Sequence, residues 1–204
     1  VLLAGATLIH WIAHTETAKS HHRHPVMSHF YGAPAMALLT VGAGAMLVGR
    51  DMLGLQLALR IDLVLWAAGT ALGLFTAVAI PYLQFTAHEV GADAAFGGWL
   101  MPVVSASTGA LLLPCLPQGQ TRLCMLLARY AMFGLSLLAS MMSISQILSR
   151  LIEHKVGAAA AVPTLWIVLG PLGQSITAAN LLGSNAHLAV SGFLAQALEA
   201  FGIL

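Results

Sequence analysis

The sequence predicts an all-α polytopic membrane protein, and three observations carry the prediction. Hydrophobic residues make up 59% of the 204-residue chain and charged residues 7%, with a mean hydropathy of +0.88; a soluble domain keeps about 25% charged residues to hold its surface in water. Apolar runs recur at lengths near the ~20 residues that a helix needs to cross the hydrocarbon layer. None of them alternates as a barrel strand does, and Leu, Ala and Met dominate them.

Seven runs stand out, at roughly 1–13, 33–49, 61–81, 99–117, 124–149, 158–182 and 186–204. The connections are short and polar apart from 15–32 and 82–98, which predicts sequential antiparallel hairpins. The first and last runs read as clipped. Val1 is not an initiator Met, no positively charged leader is present and Leu204 falls inside an apolar run. The chain is therefore expected to be an internal fragment without a signal peptide, forming a single transmembrane domain over 1–204. Loop charges leave the orientation open, since Lys19, Arg23, Arg150 and Lys155 on one set of alternate loops face Arg50, Arg60 and Arg122 on the other.

The prolines sort the runs. The second holds Pro34, the fourth Pro102 and Pro114, and the sixth Pro171; the third and fifth have no internal proline, with Pro81 at the end of the third. A proline at membrane depth frees a backbone carbonyl, which is tolerated only where protein or a water-filled cavity satisfies it. The second, fourth and sixth runs are therefore placed inside, each paired with an outer helix around an axis. Gly42, Gly44 and Gly49, with Ser105, Ser107, Thr108 and Gly109, fit that placement. Small residues equally serve close helix packing, the reading given to Gly69 and Gly73.

Most other chemistry is excluded or weak. With 8 Lys and Arg against 7 Asp and Glu, the chain offers no basic field for nucleic acid. Ala92 stands where a zinc-protease helix beginning at His88 and Glu89 needs its second His, and no nucleophile elbow, phosphate loop or dinucleotide fingerprint occurs. No enzyme activity and no cofactor is expected. His14, His21, His22, His24 and His29 fall in one connection with Lys19 and Arg23, where a solvated polar loop competes with metal binding and pH sensing. Cys115 and Cys124 flank one short turn, as a disulfide or as two buried small hydrophobes. Arg129 is expected to snorkel to the interface or to form a structural pair, and Asp62 and Glu199 receive no role.

The stretch that organises the chain is 163–183, PTLWIVLGPLGQSITAANLLG, an apolar run interrupted by Gly170, Pro171 and Gly173 and followed by Gln174, Ser175, Thr177 and Asn180. Together the inner runs predict a path lined by Pro34, Pro102, Ser105, Thr108, Gly170, Pro171, Gly173, Gln174 and Thr177. Hydroxyls, amides and backbone groups without a fixed charge suit weak, multi-site passage of a small anion. The alternative is a non-transporting membrane subunit, a metal-responsive sensor using the His-rich connection, or an inactive truncated copy.

Three stretches carry a family resemblance: HPVMSHFYGAPAMALLTVGAG (24–44), GGWLMPVV (97–104) and, above all, 163–183. Over nearly the whole chain the sequence resembles the tellurite-resistance and C4-dicarboxylate transporter family, whose relatives include malate permeases, sulfite exporters and plant slow anion channels. The resemblance implies ten transmembrane helices in five hairpins, the odd-numbered ones around a central pore, in homotrimers at the plasma membrane. It implies transport of small anions such as malate, tellurite or sulfite. About seven of the ten helices would be present here, from the second to the eighth. The His-rich connection would face the cytoplasm and the Cys115–Cys124 turn the outside. The family's pore-occluding phenylalanine lies on its ninth helix, so no Phe of this chain takes that role. At 102–110 the sequence PVVSASTGA departs from the family pattern, shorter by about one helical turn.

Overall fold

The computed structural model describes residues 2–91, 93–102, 116–157 and 159–203. Among these every regular element is helical: α1 (Leu2–Ala13), α2 (Thr15–Ser20), α3 (Gly32–Gly44), α4 (Arg50–Leu53), α5 (Leu55–Thr86), α6 (Gln120–His154), α7 (Leu169–Asn185) and α8 (Phe193–Ile203), joined by 3-10 turns and one π turn. Four stretches are long and apolar enough to span a membrane: Met27–Leu53, Leu55–Thr86, Gln120–His154 and Val162–Leu188. They correspond to the second, third, fifth and sixth runs. Ser105, Thr108, Pro114 and Cys115 of the fourth run lie outside the described residues.

The helices outrun the apolar stretches that predict them. α5 has 32 residues, and Pro81, expected at its end, lies inside it. At 1.5 Å per residue α5 is about 48 Å long, enough to pass the hydrocarbon layer and both headgroup regions. The connection at 15–32 is not a plain polar loop. It folds into α2 and two 3-10 turns, and the Tyr31 hydroxyl donates to the Ala18 carbonyl at 2.8 Å. The seventh run does not start a helix at 186. Ala186–Leu188 prolongs the preceding span as a 3-10 turn, and α8 begins only after Gly192, whose φ of 66° breaks the chain direction.

Two of the prolines expected to interrupt helices are placed where they do little harm. Pro34 and Pro171 are each the third residue of their helix, in the first turn, where no α-helical partner awaits the missing N–H. The interruption in the sixth run is instead a change of helix type: Ala159–Val168 is 3-10, and the α pattern starts at Leu169. The second run holds a similar irregularity that its sequence did not announce, a π turn over Ala45–Gly49.

A one-residue reversal at Gly54, with φ 79°, folds α5 back along α3. The pair closes tightly because glycines leave room. A Cβ on Gly69 would lie 2.8 Å from Leu39 Cγ and 3.2 Å from the Ala35 carbonyl, which bears out its reading as a close-packing residue. α7 and α8 form a second close pair, where a Cβ on Gly183 would lie 3.3 Å from the Glu199 Cα. α6 packs on α7 through Leu126, Phe133, Ala178 and Leu182.

Glycines also join the starts of the proline-bearing runs. Gly32, opening α3, lies against Met101 and Pro102, and Gly97, ahead of the fourth run, lies against the Thr164 carbonyl of the sixth. All three runs therefore begin on one side of the molecule, as hairpins with alternating direction require.

Arg129 does not snorkel. Nearly three turns into α6, it is 2% exposed, its guanidinium 4.9 Å from the centre of the Trp66 ring. The charge facing it is Asp62, 3% exposed and one turn before Trp66 on α5, with a carboxylate oxygen against Gly42 of α3. No direct ion-pair contact joins them, and all three guanidinium nitrogens lack a hydrogen-bond partner. Charge attraction and the aromatic face hold this three-helix junction.

Two outcomes follow for stability in detergent. Asp62→Leu or Arg129→Leu alone strands a buried charge and is expected to cost about 3 kcal/mol or more, while the double variant recovers most of the loss; equal loss in the double variant would rule out coupling. Gly69→Val is expected to cost about 1–3 kcal/mol by overpacking α3 against α5, whereas Gly44→Ala, with open space around its Cβ position, leaves the melting temperature unchanged or slightly raised.

Candidate functional site

The sixth run presents the most coherent polar surface in the described residues. Along α7, Leu169, Leu172, Gly173, Ile176, Thr177, Asn180 and Ser184 are exposed, while Pro171, Ala178, Leu182 and Gly183 are buried. At 100° per residue Gly173, Thr177, Asn180 and Ser184 fall within about 60° of one another. They form a stripe of small and polar groups flanked by Leu169 and Ile176. A helix facing only lipid has no physical reason to carry such a stripe.

The hydrogen bonds within the stripe decide which groups remain for a solute. Thr177 Oγ1 donates to the Gly173 carbonyl at 2.9 Å and Ser184 Oγ to the Leu181 carbonyl at 3.4 Å, so both hydroxyl protons are engaged inside the helix. The Asn180 amide makes no hydrogen bond within the described residues and is the side-chain donor left free. Gly173 leaves a depression nearly two turns away, about 10 Å along the helix. The stripe bears no full charge.

The structure distributes the predicted site residues unevenly. Gly170, Gly173 and Thr177 share or border the stripe; Gln174 lies half-buried on its flank, and Pro171 is buried on the opposite side. Pro34 is exposed on α3, on a face shared with Ala37 and Val41. Pro102 is buried beneath Gly32 and lines a cavity between α5 and α6 rather than any surface of α7. Asn180 and Ser184, one and two turns beyond Thr177, extend the stripe, and their helical spacing from Gly173 is the signal that finds them.

The histidines divide into two groups. His10, His14 and His21 stack near one another at ring-centre distances of 5.5 and 6.1 Å, yet no three metal-ligating side chains converge among the described residues. His29 leaves the polar connection altogether and is 1% exposed beneath Trp99. Cys124 is exposed. Glu199 is exposed on α8, its backbone against Gly183.

Comparison with known proteins supplies the context. Residues 1–204 match the family described as voltage-dependent anion channel. Two uncharacterised transporters of Methanocaldococcus jannaschii are 27% and 24% identical over 189 residues, covering 90% of this chain and 52% and 53% of theirs. A sulfite efflux pump of Trichophyton rubrum is 26% identical over 155 residues, covering 74% of this chain and 41% of the pump. No solved structure matches. The chain thus spans about half the length of the curated relatives it matches. A whole-chain family match, four membrane-length helices and an uncharged polar stripe agree, and the chain belongs to the voltage-dependent anion channel family of membrane transporters.

Proposed function

We propose that this chain contributes one wall of a transmembrane path for small anions, with the α7 stripe facing the solute. The observation that carries the reading is the stripe itself: Gly173, Thr177, Asn180 and Ser184, exposed and aligned on a membrane-length helix. A lining without fixed positive charge binds an anion weakly, and weak binding at successive positions lets the solute leave as readily as it enters. Asn180 supplies an N–H donor, and Gly173 leaves width for the solute to pass.

Among small anions the reading favours a compact oxyanion. Sulfite efflux pumps are among the relatives, and a stripe whose one unengaged side-chain amide is Asn180 meets a single oxyanion head more simply than two carboxylates held apart, as in malate. Tellurite falls in the same chemical class. The remaining walls are assigned to the exposed face of α3 bearing Pro34, to the run containing Ser105 and Thr108, and to segments of the longer protein. Assembly as a homotrimer in the plasma membrane completes the proposal.

Sulfite flux into liposomes holding the whole protein tests this reading. Asn180→Leu and Gly173→Leu are each expected to lower the flux by about tenfold or more, equivalent to ~1.4 kcal/mol on the limiting barrier. Thr177→Val keeps shape and loses only a hydroxyl already engaged by Gly173, so flux stays within about twofold of the parent. Undiminished flux in both leucine variants would remove α7 from the path.

A further inference from the structure

Between α5 and α6, on the side where the proline-bearing runs begin, lies a cavity of about 350 Å³. It is separate from the α7 stripe, and its walls change character with depth. On α5 the lining passes from Ala77 and Ile80 through Pro81 to Gln84, two residues short of the helix end; on α6 it passes from Ala139 through Met142 and Ser143 to Gln146. Seven residues separate Ala77 from Gln84, about 10 Å along the helix. The C-terminal halves of both helices line the cavity, so the two gradients run the same way. Both amides stand toward the aqueous side, with Phe85 and Val90 beyond Gln84, and the end toward the bilayer centre is apolar throughout.

The polar groups in the wall are short of partners. His29 is 1% exposed, stacks on Trp99 at 5.9 Å and 11°, and meets Phe96 edge-on at 5.6 Å. Neither ring nitrogen makes a hydrogen bond of good geometry, and the polar groups nearest the ring are the backbone of Pro25 and Val26 and the Gln84 side chain, of which Gln84 also lines the cavity. Pro81 adds an acceptor to the same wall: without an N–H it leaves the Ala77 carbonyl lacking its usual donor, and both residues line the cavity.

We propose that this cavity binds a single-chain lipid whose head carries acceptor oxygens, a free fatty acid being the simplest. The head meets His29, Gln84 and Gln146, and the first part of the chain lies along Ala77, Ala139 and Met142. The depth gradient selects this occupant. A dissolved oxyanion would satisfy the amides and leave the apolar half empty, whereas an amphiphile matches both halves in the order that a bilayer imposes on its own lipids. Phe85 and Met142, which line the cavity, are also 84% and 66% exposed, so the cavity is continuous with an outer apolar surface of the kind that faces acyl chains. The volume holds about a dozen water-sized groups, enough for a carboxylate and most of a medium-length chain.

The test is photolabelling of the protein in nanodiscs with decanoic acid carrying a diazirine near its chain end, followed by peptide mapping. Label is expected to concentrate in 77–85 and 139–146. Ala139→Phe fills the deep end and is expected to cut that label by about tenfold. Gln84→Leu with Gln146→Leu keeps the shape and removes two donors, so unlabelled decanoic acid should compete about tenfold less well. Label spread evenly over the exposed faces of α5 and α6, or unchanged in an Ala139→Phe variant that elutes as the parent does, would overturn the proposal. Competition by sulfite or phosphate equal to that by decanoic acid would overturn it in favour of a dissolved-anion site. None of these readings depends on whether the protein carries sulfite.

Discussion

The constraint on which the architecture depends is that lipid offers no hydrophobic drive to bring helices together, since acyl chains are as apolar as leucine. Association must come from close contact, and here glycine supplies it. Gly69 lets α5 settle on Leu39 and Ala35, Gly183 and Gly202 let α7 and α8 touch backbone to backbone, and Gly32 and Gly97 let the starts of three runs meet. Each contact brings main chain within van der Waals reach, which multiplies small dispersion gains. The hairpins are therefore defined by where side chains are missing as much as by where they are present.

Against that background the buried Asp62–Arg129 junction plays a different part. Dispersion contacts between apolar helices are tolerant of register, whereas a charge at membrane depth is costly in every arrangement but the one that presents its partner. Trp66, one turn from Asp62, offers its face to the same guanidinium. The junction thus selects among packings that glycine contacts alone would leave nearly equivalent. It also relates α6 to the α3–α5 hairpin at a depth where few backbone contacts do so.

Much of this was legible in the chain. Four apolar runs became four membrane-length helices, the hairpin order followed from short connections, and Gly69 was readable as a packing residue from its small neighbours. What escaped were features that depend on partners distant in sequence or on local backbone choices. Arg129 was open to snorkelling or to a structural pair, and the choice stayed open because a single run does not reveal that Asp62 and Trp66 close over it. Pro81 looked like a helix end because composition does not reveal that the helix runs on past it beside a cavity. At the candidate site, Gly173 and Thr177 were visible from the break in the apolar pattern. Pro171 drew attention for a kink that the first turn of α7 absorbs, and His29 was hidden among surface-like histidines.

The one-residue reversal at Gly54 carries a consequence for how the molecule meets its surroundings. With its tip reduced to one residue between two helices, that end of the α3–α5 hairpin has no loop long enough to host a docking motif, a modification sequence or a protease-sensitive tail. The opposite end of the same hairpin carries α2, the histidine-bearing turns and the connection at 87–96. For this hairpin the two sides of the bilayer are thus chemically unequal, and any soluble factor that senses its state has its footing on the histidine side alone.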